Sequence, residues 1–300
     1  MALTKNCSTF LFYAKKLGVS FDKTLMLGRL NLTATKEDIA ADIAKFGNNA
    51  KKPEEVAFKD DYSEPLFEIL GASATESMDF SDYEQATIIH DLNQPIPDDY
   101  KGKYSAIVDG GTIEHVFNFP VAIKNCMEML KVGGHYIGIT PANNAMGHGL
   151  YQFSPELYYN IFREENGFAT TKMVIVTQNS AGKFSDWYEV QDPHKAKSRV
   201  LLTNSNPTYL MVIAEKKAER PIFQKPPQQS DYQAVWNISQ ALKENKVPQQ
   251  ESRLKYLYRK FTPRRLKIVA HNVYSLFTKE EIIDEDLGKI NTEHFRKMEL

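Results

Sequence analysis

The chain has 300 residues, 42% hydrophobic and 25% charged, enough for one large domain or a domain with an appendage. Its formal net charge of −1 argues against nucleic acid as a partner, since DNA- and RNA-binding domains carry a basic excess. No apolar run is long enough to span a bilayer, and Cys7 and Cys126 lie too far apart for a zinc knuckle or a disulfide framework, so no metal is expected.

The first residues, MALTKNCSTFLFYAKKLG, hold a short apolar patch without the hydrophobic region or cleavage site of a signal peptide, which makes the cytoplasm the expected compartment. Thr24 to Gly28 reads as a buried strand closed by glycine. Thr35 then caps a helix, with Asp38 three residues on and Ile39, Ile43 and Phe46 at helical spacing. Residues 47–62 are polar and irregular, a surface insertion. Pro65 to Leu70 is a second helical piece. Thr75 to Asp79 is a weak strand, Ala86 to His90 a better one ending at Asp91, and Tyr104 to Val108 a clear buried strand ending at Asp109. Phe119 to Leu130 is a helix, broken by Gly133-Gly134, and Cys126 within it reads as a buried, reduced thiol. His135 to Thr140 is a strand stopped by Pro141. Ser154-Pro155-Glu156 starts a helix with a capping serine and proline at its first position, running to about Glu165. Met173 to Thr177 and Tyr209 to Ala214 form a closing pair of strands, separated by a long polar loop.

Strands alternating with helices predict an α/β fold: a doubly wound, mostly parallel, seven-stranded sheet with an antiparallel last strand at its edge. That domain occupies residues 1–217. After Lys217 the proline- and glutamine-rich PIFQKPPQQ is a linker, and residues 218–300 form a C-terminal extension of helical character. Residues 251–270 interleave basic and aromatic side chains. Such a segment suits either a polyanion or membrane surface, or packing on the core or a second subunit.

Three strand ends coincide with acids: Asp79, Asp91 and Asp109. A carboxylate after the second strand can accept from both ribose hydroxyls of a nucleoside cofactor, and one after the third can hold the adenine amino group. The run from Asp109 through Glu114-His115, Leu130-Lys131-Val132-Gly133-Gly134 and Thr140-Pro141 to Ser154-Pro155-Glu156 and Gly167-Phe168 resembles the class I, Rossmann-like S-adenosylmethionine-dependent methyltransferases. The resemblance covers about residues 24–215. It implies S-adenosylmethionine as cofactor, with Gly28, Arg29, Asp79, Phe80, Asp91, Leu92, Asp109 and Gly110 around it. The family's glycine-rich loop after the first strand is reduced here to Leu27-Gly28-Arg29-Leu30-Asn31-Leu32. Gly28 is the one glycine left for close backbone approach, and Arg29 offers a fork for the cofactor's carboxylate.

Methyl transfer to a hydroxyl benefits from a general base. His148, between Gly147 and Gly149 in the loop after the fifth strand, is the first candidate. His115 is the second, and His90 reads as structural. Asn143, Tyr151 and Trp187 are expected to contact the acceptor, which the resemblance makes a small polar or glycan-type molecule. A non-catalytic methyltransferase-like module is the alternative. A nicotinamide or nucleotide-sugar enzyme is disfavoured because no Gly-x-Gly-x-x-Gly follows the first strand.

Overall fold

The computed structural model describes residues 2–47, 50–196, 200–230, 232, 233, 236, 281–284, 287–291 and 294–300. Strand β1 (Ala2–Leu3) and helix α1 (Lys5–Lys16) come first, and the apolar patch of the sequence is the buried face of α1: Phe10, Leu11, Phe12 and Ala14. Next are β2 (Lys23–Leu27), β3 (Asn31–Leu32), α2 (Lys36–Phe46) and α3 (Glu64–Ile69). The start of α2 is the expected capping box: the Asp38 N–H donates to the Thr35 hydroxyl, and the Thr35 N–H donates to the Asp38 carboxylate. Then follow β4 (Ala74–Asp79), β5 (Ile88–Ile89), β6 (Tyr104–Asp109), α4 (Phe119–Met129), β7 (Leu130–Asn143) and α5 (Pro155–Ile161). The carboxyl-terminal part supplies β8 (Phe168–Thr177), β9 (Tyr188–Val190), α6 (Pro193–Ala196), β10 (Leu202–Thr203), β11 (Thr208–Lys216), β12 (Glu281–Asp284), β13 (Gly288–Asn291) and β14 (Phe295–Lys297).

One mixed sheet has the order β14-β9-β8-β11-β7-β6-β2-β4-β5. From β5 to β7 the strands are parallel. β11 runs antiparallel to β7 and to β8, and β8, β9 and β14 continue antiparallel to one another. Alternation along the strands divides two apolar layers. Leu25, Leu27, Leu210 and Val212 face the layer with Ile123 and Cys126 of α4 and Tyr158 of α5. Met26, Val108, Met211 and Ile213 face the layer with Phe10, Ile39 and Leu66 of α1, α2 and α3. Helices on both faces of a largely parallel sheet are the doubly wound arrangement.

Four expectations change. The sheet has nine strands rather than seven, because β9, in the loop read as irregular, and β14, from the extension read as helical, add to it. The antiparallel strand β11 sits inside the sheet between β7 and β8 rather than at its edge. β7 begins at Leu130 and continues past Pro141 to Asn143. The Gly133-Gly134 step that reads as a breaker lies within the strand, and Gly134 has the Tyr104 carbonyl where a Cβ would stand. Finally, α5 stops at Ile161, with a separate 3-10 turn over Glu164–Asn166 before the left-handed Gly167. Of the expected C-terminal extension, residues 251–270 lie outside the described residues, as does most of 231–244. Among the described residues, no helix is long and apolar enough to cross a membrane.

Candidate functional site

β4 and β5 extend from one side of β2, while β6 and β7 extend from the other. The β2–β6 boundary is therefore the switch point of the sheet, and ligands of such sheets lie outside the carboxyl ends of the strands beside it. A cavity of about 280 Å³ occurs there. Met78, Asp79 and Phe80 line it from the end of β4. His90, Asp91, Leu92 and Asn93 line it from beyond β5, and Thr112, His115 and Val116 from beyond β6. The volume falls just below the usual range of small-ligand sites, which suits a nucleoside better than a whole dinucleotide.

Four of the expected cofactor residues, Asp79, Phe80, Asp91 and Leu92, thus meet in one cavity. Asp79 Oδ1 accepts from the Phe80 N–H at 2.6 Å and the Ser81 N–H at 3.4 Å, so the carboxylate is held by the first turn after the strand. Asp91 Oδ1 accepts from the Asn93 N–H and Nδ2 at 2.9 and 2.8 Å, and these bonds hold its carboxyl below the usual range. Phe80 is 73% exposed, available to lie along a bound ring. His90, read as structural, is also in the wall, its Nε2 3.3 Å from the Gln94 carbonyl.

The other expected cofactor residues do not join them. Gly28 takes a left-handed turn (φ 72°) and donates to the Met78 carbonyl at 2.7 Å. Arg29, proposed from the sequence to reach the cofactor's carboxylate, is instead held by protein. Its Nε donates to Glu64 at 2.7 Å, one Nη lies 3.3 Å from Asp60, the other donates to the Glu84 carbonyl, and its guanidinium stacks 3.8 Å over Tyr62. Gly110 packs against Leu30 and Leu3, whose methyl carbons stand 3.0 and 3.3 Å from where a Cβ would be. Thr112 Oγ1 donates to the Leu27 carbonyl, tying the end of β2 to the turn after β6. Asp109 is fully buried and caps that turn. It accepts from the N–H groups of Gly111, Thr112 and Ile113 and from the Tyr136 hydroxyl at 2.8 Å, while burial pushes its carboxyl up.

Beyond Asp109 the 3-10 turn Ile113–His115 is overlaid by the loop after β7. Leu150 and Tyr151 donate their N–H groups to the Glu114 carbonyl at 2.8 and 3.2 Å. Gly149 lies so close that a Cβ would stand 2.9 Å from Glu114 Cγ, and its φ of +72° favours glycine as well. This loop carries His148 to within 3.4 Å of Glu114 through Nε2, and its ring meets that of His115 edge-on at 5.1 Å. Glu114 is 1% exposed, and neither carboxylate oxygen has a hydrogen-bond partner. Burial first and the charge of Asp109 second push its carboxyl up to about 8. Burial and the neighbouring His148 lower the pKa of His115. Sequence reasoning gave Glu114 no role. The available signal was an acid set between Ile113 and Val116, where an apolar turn leaves it little water.

The expected acceptor residues disperse. Tyr151 donates its hydroxyl to the Phe117 carbonyl at 2.6 Å and stacks on Phe153. Asn143 faces Asn204 at 3.3 Å and borders a different cavity of about 550 Å³, shared with Phe153, Ser154 and Leu202. Trp187, expected to contact the acceptor, is buried. It packs edge-on against Phe10 and Tyr13, and its Nε1 donates to Asn6 at 2.9 Å, so its indole belongs to the layer under α1.

No family model and no curated protein matches the sequence. Solved structures show distant likenesses. The YcgJ protein of Bacillus subtilis is 8% identical over 71% of this chain and 100% of that one, with a TM-score of 0.39. An S-adenosylmethionine-dependent methyltransferase of Leishmania major is 12% identical over 70% and 72%, with a TM-score of 0.37. TehB of Haemophilus influenzae is 16% identical over 69% of this chain and 62% of its own length, with a TM-score of 0.36. Likenesses this distant carry no argument, and the reading of the site rests on the geometry above.

Proposed function

We propose that the chain is an S-adenosylmethionine-dependent methyltransferase acting on an oxygen of a small polar or glycan-type acceptor. The observation that carries this reading is the convergence of Asp79 and Asp91, with their apolar neighbours Phe80 and Leu92, on one nucleoside-sized cavity beside the switch point. Asp79 Oδ2 has no protein partner among the described residues, leaving it for ribose hydroxyls. In the transfer the sulfonium–methyl bond breaks, an oxygen–methyl bond forms, and the acceptor hydroxyl releases its proton. That His115 lines the cavity and His148 stands beside it supports either histidine as the base that takes that proton. Positioning supplies much of the rate.

Calorimetric titration with S-adenosylhomocysteine tests the reading without knowledge of the acceptor. The expected result is measurable binding that weakens by about tenfold or more in Asp79→Ala, with an unchanged thermal melt. Equal affinity in the variant overturns the pocket assignment.

One observation favours a second reading, a binding module without catalysis. Gly110, which the resemblance puts beside the cofactor, is covered by the side chains of Leu30 and Leu3. Absence of S-adenosylhomocysteine binding by a cooperatively folded sample supports that module.

A further inference from the structure

We propose that Glu114, His115 and His148 form a binding site for one divalent transition-metal cation at the edge of the nucleoside-sized cavity. The sequence alone gives no metal-ligand spacing, because the three residues come from two different loops. The 3-10 turn after β6 supplies Glu114 and His115, and the loop after β7 supplies His148. Their donor atoms all lie within 4.8 Å of one another. Bonds of about 2.0–2.2 Å to a shared ion place tetrahedral donors about 3.4 Å apart, so the cluster has to close by up to about 1.4 Å. His148, with 56% of its side chain exposed and glycine on either side, is free to make that movement.

An independent observation points the same way. Both oxygens of Glu114 are buried without a hydrogen bond, although His148 Nε2 is only 3.4 Å away. A buried carboxylate left unsatisfied is costly and rare in a folded protein. The backbone on either side of it is well bonded: its own carbonyl accepts two N–H groups, and Gly149 is packed against its Cγ. The carboxylate is therefore held in place by its surroundings while its oxygens are left for something else. Two imidazoles and one carboxylate suit Zn²⁺ or a neighbouring first-row cation over Mg²⁺ or Ca²⁺, which prefer all-oxygen shells. Three protein ligands leave an open position, as in catalytic rather than structural sites. The role that follows rests on the methyltransferase reading: a cation there would lower the pKa of an acceptor hydroxyl bound at the open position, in place of the base role of the two histidines that would then ligate it. The existence of the site does not depend on that role.

The test uses tag-free, full-length protein stripped by chelator and titrated with Zn²⁺ by calorimetry and with Co²⁺ by visible absorption. S-adenosylhomocysteine binding is measured separately on the metal-free protein. The expected result is about one equivalent of Zn²⁺, and a Co²⁺ absorption band that is lost in Glu114→Gln and in His148→Ala, with Zn²⁺ affinity falling at least about tenfold in each. His148 is exposed, so His148→Ala decides the matter if Glu114→Gln fails to fold. Negligible uptake, or equal uptake by folded His148→Ala, overturns the site and leaves an ordinary Glu114–His148 ion pair. Negligible uptake with S-adenosylhomocysteine bound overturns the metal site alone. Uptake without S-adenosylhomocysteine binding supports the metal site and overturns the methyltransferase reading.

Discussion

At the end of β4 a strand-end carboxylate faces a cavity, whereas just past the end of β6 Gly110 is covered by the side chains of Leu3 and Leu30. Asp79 and Asp109 both end parallel strands hydrogen-bonded to β2, yet their carboxylates do different work. Asp79 keeps one oxygen without a protein partner. Asp109 gives its oxygens to three backbone N–H groups and a tyrosine hydroxyl. A strand-end acid can thus receive a ligand or cap the next turn, and the number of buried N–H groups around it decides which. The contrast also makes a reduced glycine loop intelligible. Residues 29–32 lie against β1, Tyr62 and Glu64, so the backbone that would approach a cofactor is tied to protein instead.

Leu30→Ala should produce the largest change. Leu30 is fully buried, and its truncation is expected to cost about 2–5 kcal/mol, read as a lowered midpoint in chemical denaturation. It also clears space over Gly110. If the packed flank limits the cofactor's amino-acid half, S-adenosylhomocysteine binds Leu30→Ala more tightly than wild type, while adenosine binds both equally. Unchanged S-adenosylhomocysteine affinity in a folded variant would break the comparison, because the leucines would then not be the obstacle.

Much of this was legible before the coordinates. Largely apolar runs such as Tyr104–Val108 and helix starts such as Thr35 and Ser154 act through local chemistry, and the structure places strands and helices there. So do the acids that end β4 and β6. β9 and β14 were not legible: β9 is three residues long and pairs with β8 and β14, and β14 is a three-residue edge strand whose partner β9 lies about a hundred positions away. The site was legible by halves. Asp79 and Asp91 were found because their position relative to a strand end carries the meaning. Trp187 misled because an aromatic in a polar loop looks the same whether it covers a ligand or, as here, packs under α1. Glu114 went unassigned because its isolation arises from a tertiary contact, the loop of Gly149 laid over it.

A middle-sized effect separates the two roles open to Arg29. Its contacts with Glu64 and Tyr62 are partly buried, so Arg29→Ala is expected to lose about 1–2 kcal/mol of stability. S-adenosylhomocysteine affinity should stay within about twofold. A loss of about tenfold in calorimetry would return Arg29 to the cofactor and erase the distinction between the flanks.

The smallest expected effect concerns acid, and it guards the binding experiments against a false reading. His135 on β7 is buried. Its Nδ1 has no hydrogen-bond partner, and its Nε2 lies 3.8 Å from Glu215 on β11. Burial lowers its pKa below the ordinary value of 6.5, against the opposing pull of Glu215. As pH falls below about 6.5 the unfolded chain takes up a proton there before the folded one does, so this residue's contribution to stability is present above that pH and declines beneath it. The pH dependence of thermal melting between 7 and 5 should therefore flatten in His135→Gln relative to wild type. A parallel pair of curves would show that His135 does not titrate differently on folding. With the flattening established, loss of ligand binding in the same pH window, measured in the His135→Gln background, reports on the cavity, where His115 forms part of the wall, rather than on the far end of β7.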